Sequence, residues 1–261
     1  MNSPAQIPFW LKGNFAPLEQ EHELSEPVFE GAIPADLNGR YLRTGPNPMS
    51  GPTEHWFLGD GMIHGIELSG GSANWFKSKL VQTPMLNMSG DTDYFTASMA
   101  SLENGLANTH VIEHAGKILA LEELHFPQEL TPELETVGAY DYNVALKTGM
   151  TAHPKVCAKT GEMLFFAYGL VPPYLTYHRV SAGGELVQSE VIEVRAATMA
   201  HDFNITENYV IFMDLPLLFD LEKITEGGIP LRWSEDYGAR LGVMPRNGSN
   251  ADVVWYEIDP C

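Results

Sequence analysis

The fold class is indicated most clearly by two segments, "THVIEHAGKILALEE" at 109–123 and "AKTGEMLFFAYG" at 158–169. In each, β-branched or other apolar residues adjoin a short turn that contains glycine, as expected for antiparallel strands. Comparable segments recur along the chain with turns such as "SGGSA" and "SAGGE" between them, and amphipathic helical spacing is nearly absent. Many short strands without helices predict an all-β sandwich, barrel or propeller, and the strand–turn–strand pairs favour the propeller.

The chain divides into two parts by composition. Four prolines and alternating acidic residues predict an irregular N-terminal arm over 1–30, followed by a β-domain over 31–261. Within that domain, only 223–245 has the composition of a long loop, with room for a helical turn.

The charge balance narrows the possible partners. The 261 residues include 15 Lys and Arg against 34 Asp and Glu, a net charge of −19 with histidine neutral. Such an acidic chain repels phosphate backbones, so we expect no nucleic-acid partner. It also weakens attraction to an anionic membrane surface, although peripheral docking through apolar residues remains possible.

The cysteine content and hydropathy indicate the compartment. Cys157 and Cys261 are the two cysteines, and they form no CxxC motif. A disulfide framework and a cysteine-based zinc site are therefore not expected, which is typical of a reducing compartment. The N-terminus resembles no secretory signal, and no apolar run reaches the roughly 20 residues needed to cross a bilayer. These features predict a cytoplasmic protein.

Two of the nine histidines precede probable strands in similar settings. His153 lies in "MTAHPKV" and His201 in "MAHDFNITENYVIFMD". Two histidines so far apart are weak evidence for a metal, because most strand histidines are simply hydrogen-bonded. The other histidines have structural or solvated interpretations; His114, for example, lies in a glycine turn and is expected to face solvent.

The order of four motifs gives these histidines a context. "RYLRTGPNP" at 40–48 and "HWFLGDGMIHGIEL" at 55–68 come first, and the stretches around His153 and His201 follow. This ordered set resembles the carotenoid cleavage oxygenase family, which includes apocarotenoid and stilbene-cleaving dioxygenases. The likeness runs from about residue 27 to residue 261.

The resemblance implies a seven-bladed β-propeller that binds one non-haem Fe(II) through four histidines. His153 matches the first ligand and His201 the second. Imidazole nitrogens suit iron, and a neutral ligand set leaves room for O₂ next to an electron-rich double bond.

Three further residues take candidate roles from the resemblance. Glu123, in "LALEELHFP", matches a carboxylate that accepts a hydrogen bond from the ring of His201, although a solvated acid at a strand end is the simpler alternative. Thr109, in "LANTH", matches a side chain close to the vacant iron position in some members, or is an ordinary strand threonine. Glu122 corresponds to a position that tends to face the substrate cavity.

Glu122 bears on the substrate. Hydroxystilbene-cleaving members resemble one another in having lysine at this position. A carboxylate cannot donate a hydrogen bond to a phenolate and would repel it. Glu122 therefore argues against a lignostilbene-type substrate without identifying the correct one.

The glycine motifs have structural interpretations. We expect Gly45 and Pro46 to shape a turn, and Gly59 and Gly61 to permit close approach of backbone segments. His64, in the same region, is predicted to be a packed strand histidine and not a ligand.

The last residues raise the question of the missing ligands. In the family, the stretch that resembles "ADVVWYEIDPC" at 251–261 runs into a motif that opens with the third iron ligand. The fourth lies near the far C-terminus. We therefore expect this chain to be the N-terminal part of a longer enzyme, with an open propeller and no activity by itself.

The predicted function is that of an Fe(II)-dependent dioxygenase that cleaves a conjugated C=C bond of a carotenoid or apocarotenoid with O₂ into two carbonyl products. A stilbene-cleaving dioxygenase of the same family is the alternative. A propeller hydrolase with another metal, such as Ca²⁺, and a non-catalytic propeller fragment or binding module are the alternatives from other classes. Oligomeric state and cleavage position are left open.

Overall fold

The computed structural model describes residues 7–49, 53, 55–88, 94–220, 222–223 and 230–260. Its strands assemble into four four-stranded antiparallel sheets and one hairpin. The chain forms two compact units, Met1–Tyr140 and Asp141–Cys261.

The first sheet of the N-terminal unit has the strand order β1-β4-β3-β2. Its strands are β1 (His22–Ser25), β2 (Gly39–Pro46), β3 (Gly61–Ser69) and β4 (Ser72–Leu80). The predicted turn "SGGSA" joins β3 to β4, where Gly70 has φ +57° and Gly71 φ +85°. This left-handed backbone favours glycine, which explains why the hairpin closes at this point.

The second sheet of this unit has the order β5-β6-β7-β8. Its strands are β5 (His110–His114), β6 (Lys117–Leu121), β7 (Gln128–Leu130) and β8 (Thr136–Ala139). Apolar residues from both sheets pack into one core, in which Ile63 of β3 and Ala120 of β6 are each 0% exposed. Alternation along the strands therefore places one face of each sheet in a shared interior.

The C-terminal unit contains two more sheets, with the orders β12-β11-β10-β9 and β13-β14-β17-β18. Their strands are β9 (Lys155–Val156), β10 (Met163–Tyr168), β11 (Leu175–Val180), β12 (Leu186–Val191), β13 (Asn204–Ile205), β14 (Tyr209–Asp214), β17 (Ala239–Pro245) and β18 (Val254–Ile258). The hairpin β15 (Leu217–Phe219) and β16 (Leu231–Trp233) is inserted between β14 and β17. Tyr177 and Phe212, both buried, meet edge-to-face with centroids 5.7 Å apart and join the two sheets.

The described helices are short. One α-helix, α1, spans Tyr94–Ala100, and 3₁₀ turns cover Phe9–Leu11, Gly13–Phe15, Pro84–Asn87, Glu235–Tyr237 and Asn250–Asp252. No helix in the described part of the chain has both the length and the apolar character required to span a bilayer. The prediction that strands dominate is confirmed.

Three local predictions need correction. Gly45 and Pro46 do not form a turn, because both lie in β2. His114 is buried at 6% exposure and not solvated, because it ends β5 and packs into the unit. Of the 17 described residues of 223–245, 10 lie in β16 and β17 and not in a loop, while the predicted helical turn is the 3₁₀ turn Glu235–Tyr237; residues 224–229 lie outside the described residues.

Other predictions hold. A Cβ at Gly61 would lie 2.4 Å from the carbonyl oxygen of Leu106, and one at Gly59 would lie 2.9 Å from Cβ of Pro46. Both glycines therefore permit close approach, as predicted. His64 lies on β3, and its Nδ1 is 2.9 Å from Oγ of Ser78, in keeping with a packed strand histidine. The predicted arm, in contrast, is not irregular throughout, because His22–Ser25 forms β1 and pairs with β4.

Candidate metal centre

His153 lies two residues before β9, at the start of its sheet. Its backbone N–H donates to Oγ1 of Thr151 at 3.2 Å. Thr151 is fully buried, and its own N–H donates to the carbonyl of Phe166 at 2.9 Å. The backbone that carries His153 is therefore anchored to the interior strand β10.

His201 lies three residues before β13 and takes its position from two neighbouring segments. Upstream, the N–H of Met199 donates to the carbonyl of Leu217 on β15 at 2.8 Å. Downstream, Phe203 is 1% exposed and meets the ring of Phe166 edge-to-face at 5.3 Å. The imidazole of His201 itself projects from an exposed residue between these two anchors.

The two imidazoles face each other through the same ring atom. Nε2 of His153 is 3.2 Å from Nε2 of His201, and the ring planes are inclined by 67°. Metal–imidazole bonds are about 2.0–2.1 Å long, so two adjacent ligands at an angle near 100° place their nitrogens about 3.2 Å apart. The pair therefore fits two neighbouring positions on one metal ion.

An ion pair lies beside the histidines. Nζ of Lys155 is 2.8 Å from Oδ1 of Asp202. The same Oδ1 accepts the backbone N–H of Phe203 at 2.8 Å. Burial alone would raise the pKa of Asp202, but Lys155 and the Phe203 N–H outweigh it and hold that pKa below its ordinary value. The pair was not predicted from the sequence, in which opposite charges next to two candidate ligands are its only local signal.

Glu122 contacts the buried His125. Its Oε2 forms a very short hydrogen bond with Nδ1 of His125. Nε2 of the same ring lies 3.0 Å from Oγ and 3.0 Å from the carbonyl oxygen of Ser98 on α1. Burial disfavours the charged imidazole, but Glu122 outweighs it and raises the pKa of His125 above its ordinary value.

The Glu122–His125–Ser98 arrangement is not a nucleophilic triad. The carbonyl oxygen of Ser98 can only accept, so Nε2 of His125 donates to it and has no lone pair with which to activate the Ser98 hydroxyl. The arrangement fixes the carboxylate of Glu122 on His125. Whether Glu122 borders a substrate cavity stays a prediction.

Glu123 and Thr109 lie at the ends of strands in the second sheet. Glu123 is two residues beyond the end of β6, and both of its carboxylate oxygens are buried. Thr109 precedes β5, and its Oγ1 donates to Oδ1 of Asn108 at 3.1 Å. Asn108 in turn donates to the carbonyl of Gly59 at 2.7 Å. The roles of Glu123 and Thr109 at an iron centre stay predictions.

Comparison with known proteins identifies the family. The chain matches the family described as Retinal pigment epithelial membrane protein, RPE65, over residues 15–261. The chain belongs to this family. Its resemblance to carotenoid cleavage oxygenases is confirmed by relatives that carry the name.

Two relatives and one solved structure show how far the likeness extends. This family member is 33% identical to a carotenoid cleavage oxygenase of Mycobacterium tuberculosis, over 97% of this chain and 60% of the relative. It is 36% identical to a carotenoid 9,10(9',10')-cleavage dioxygenase of Crocus sativus, over 97% of this chain and 52% of the relative. The lignostilbene dioxygenase of Pseudomonas brassicacearum superposes with a TM-score of 0.86 and 33% identity, over 98% of this chain and 57% of that one.

The superposition settles the fold class. The prediction of an all-β fold, the N-terminal portion of a seven-bladed β-propeller that is not closed in this chain, is confirmed. Each four-stranded sheet corresponds to a propeller blade. The chain spans between about half and three-fifths of the length of the proteins it matches.

Proposed function

We propose that this chain is part of an Fe(II)-dependent dioxygenase that cleaves a conjugated C=C bond of a carotenoid or apocarotenoid. Each of the two carbonyl products would receive one atom of O₂, so that no further oxidant or reductant is required. Family membership supports the reaction class, and the names of the Mycobacterium and Crocus relatives support a polyene substrate.

The observation that carries the proposal is the 3.2 Å separation of the Nε2 atoms of His153 and His201. Two neutral imidazole nitrogens that converge in this way suit a late first-row metal such as iron. Bound Fe(II) would supply the one-electron chemistry that allows O₂ to react with a double bond. The fold of this chain brings both nitrogens together, because each histidine lies just before the first strand of its sheet.

Two carboxylates take different roles in this proposal. Glu123 would orient the ring of His201 by accepting a hydrogen bond from its non-ligating nitrogen, which buried carboxylate oxygens can do. Glu122 is hydrogen-bonded to His125. Its carboxylate would therefore face an apolar substrate as part of this pair and not as an isolated charge.

A stilbene-cleaving dioxygenase is the second candidate. The lignostilbene dioxygenase superposes at a TM-score of 0.86, which favours it. Glu122 disfavours it, because a carboxylate at that position offers a phenolate no hydrogen-bond donor.

Access to an apolar substrate is the last part of the proposal. We place the protein in the cytoplasm with peripheral membrane contact. The aromatic cluster Phe9, Trp10, Phe15 and Trp56 supports this contact, with neighbouring ring centroids 5.2–5.7 Å apart. Phe9 and Phe15 remain 48% and 52% exposed, and exposed Phe and Trp side chains are typical of surfaces that insert at the headgroup–acyl boundary of a bilayer.

The test uses the complete product of the gene that encodes this sequence. It is loaded with Fe(II) and given a carotenoid, an apocarotenoid and a hydroxystilbene separately under ¹⁸O₂, and products are identified by mass spectrometry. We expect two labelled carbonyl products from a polyene. Products from the hydroxystilbene alone would transfer the assignment to the second candidate.

Variants connect the activity to the histidines. His153→Ala and His201→Ala should each lose iron and reduce turnover by more than about 100-fold. His22→Ala, on β1, is the matched control and should retain both iron and turnover. Wild-type iron content and turnover in His153→Ala would disprove the proposed centre.

A further inference from the structure

The ion pair between Lys155 and Asp202 joins the two segments that carry the histidines. Lys155 is two residues after His153, and Asp202 directly follows His201. Their side chains meet at 2.8 Å. The two residues belong to different sheets, since Lys155 begins β9 and Asp202 precedes β13. The contact therefore fixes one ligand segment relative to the other.

Stability alone does not account for this pair. The side chains of Lys155 and Asp202 are 29% and 41% exposed, and ion pairs at that exposure contribute little to the free energy of folding. Its geometry is nevertheless well supported. Asp202 is fixed by the N–H of buried Phe203, and Nζ of Lys155 lies 5.8 Å from the centre of the Phe203 ring.

Hydrogen bonds fix the backbone near both histidines. The N–H of His153 donates to buried Thr151, and the N–H of Met199, two residues before His201, donates to the carbonyl of Leu217. The imidazole of His201, on an exposed residue, has rotamer freedom to lose when it meets His153. The ion pair of Asp202, the next residue, holds the backbone from which this ring projects.

We propose that Lys155 and Asp202 are positioning residues that hold Nε2 of His153 and of His201 at the spacing required by one metal ion. This role rests on the proposed function, because it requires the metal centre. The observation that supports it is the geometry of the ion pair. Removing the pair should widen the distribution of Nε2–Nε2 distances and weaken metal binding. It should leave the fold intact.

The chain provides a matched control. Lys159 and Glu207 form an ion pair at 2.8 Å between the same two sheets, in the turns that follow β9 and β13. Their side chains are 70% and 66% exposed, and neither residue adjoins a histidine in sequence. Removing this pair changes net charge and inter-sheet attraction in the same way as removing Lys155 and Asp202, but away from the candidate ligands.

The first experiment titrates the 261-residue chain with Co²⁺ alone and follows the visible absorption of the bound ion. Lys155→Met should raise the dissociation constant about 10-fold, because the loss of a group that orients ligands typically costs 10–100-fold in metal affinity. Lys155→Arg, which keeps the charge, should stay within about twofold of wild type, as should Lys159→Met. An equal loss in Lys159→Met and Lys155→Met would overturn the inference.

The second experiment measures the ¹⁵N NMR signals of the imidazole nitrogens of His153 and His201 in the metal-free chain. In the wild-type chain one Nε2 should donate to the other, so the two signals should differ as donor and acceptor. In Lys155→Met they should converge as the contact loosens. Unchanged histidine signals and unchanged Co²⁺ affinity in this variant would contradict a positioning role.

The two readouts separate the inference from the proposed function. If the wild-type chain binds no more Co²⁺ than His153→Ala does, the metal centre is wrong. The NMR comparison of Lys155→Met with Lys159→Met then decides the positioning role by itself: a change confined to Lys155→Met supports it, and equal signals in the two variants reject it.

Discussion

Nε2 of His153 and Nε2 of His201 lie 3.2 Å apart, although 48 residues of chain separate them. Each histidine comes shortly before the first strand of a different four-stranded sheet. Because successive sheets repeat the same strand order, the two strand starts come close together, and so do the histidines that precede them. The repetition of the four-stranded sheet therefore brings the two candidate ligands together.

Metal should stabilise the chain through these two nitrogens. A ligand that binds only the folded state at about 100 times its dissociation constant adds roughly 2.7 kcal/mol, enough to raise the midpoint of thermal unfolding by several degrees. Differential scanning calorimetry with and without Co²⁺ should show this rise, and a chelator should reverse it. His153→Ala should abolish the shift and His22→Ala should retain it; a shift of equal size in His153→Ala would place the ion elsewhere.

Acid should destabilise the C-terminal unit through His178. This ring is 1% exposed and contacts Thr148 and Ser189 at 2.9 Å each, and burial lowers its pKa to about 4. The unfolded chain takes up the proton near pH 6.5, so stability is complete above that value and is lost as pH falls towards 4. The loss is on the order of 3 kcal/mol.

Urea unfolding at a series of pH values measures this loss. His178→Gln keeps hydrogen-bonding groups but cannot titrate, so its stability should vary less between pH 6.5 and pH 4. His22→Ala should keep the wild-type slope. A wild-type slope in His178→Gln would show that other groups cause the acid sensitivity.

The buried contact between Glu122 and His125 should stabilise the N-terminal unit. Glu122→Gln removes the carboxylate that raises the pKa of the 3%-exposed imidazole of His125 and should cost roughly 2 kcal/mol near pH 6. Because the pKa of His125 is raised, this contribution is complete below about pH 6.5 and is lost as pH rises through the raised value.

Chemical denaturation of Glu122→Gln at pH 6 and pH 9 tests both statements. Glu129→Gln, which removes the carboxylate paired with the 35%-exposed side chain of Lys117, is the control and should cost less than about 1 kcal/mol at either pH. An equal cost for Glu122→Gln at the two pH values would contradict the assigned charge on His125.

Asp214 should be among the most sensitive residues of the C-terminal unit. It is 2% exposed and accepts from Nε of Arg240 at 2.7 Å and from the hydroxyl of Tyr237 at 2.6 Å. Arg240→Met would leave a buried carboxylate without its cation and should cost about 3–5 kcal/mol, measured by urea unfolding. Arg232→Met, in a looser 3.8 Å pair with Asp220, should cost less than about 1 kcal/mol.

Gly61 should not tolerate a side chain. A Cβ there would lie 2.4 Å from the carbonyl oxygen of Leu106 and 2.5 Å from that of Ala107, which are backbone atoms. Gly61→Ala should therefore cost about 1–3 kcal/mol or more in thermal unfolding. Gly45→Ala is the control, since its Cβ would have only Arg43 nearby at 3.9 Å. Equal midpoints for the two variants would disprove the close approach.

Features that depend on local pattern could be predicted from the amino-acid sequence. Strand alternation and glycine turns predicted the hairpins, including the turn at Gly70 and Gly71, because left-handed backbone favours glycine at that position. The ordered motifs predicted the family and singled out His153 and His201. The tight approach at Gly61 followed from the same kind of reasoning.

Contacts between side chains that are distant in sequence became known from the three-dimensional structure. The pairs Lys155–Asp202 and Glu122–His125, the contact of His125 with Ser98, and the burial of His114 depend on how sheets pack and on strand register. A sequence pattern repeats every two residues along a strand and carries no information about which distant strand start lies opposite. The distance between two imidazoles is therefore a property of packing, whereas their presence before two strands is a property of sequence.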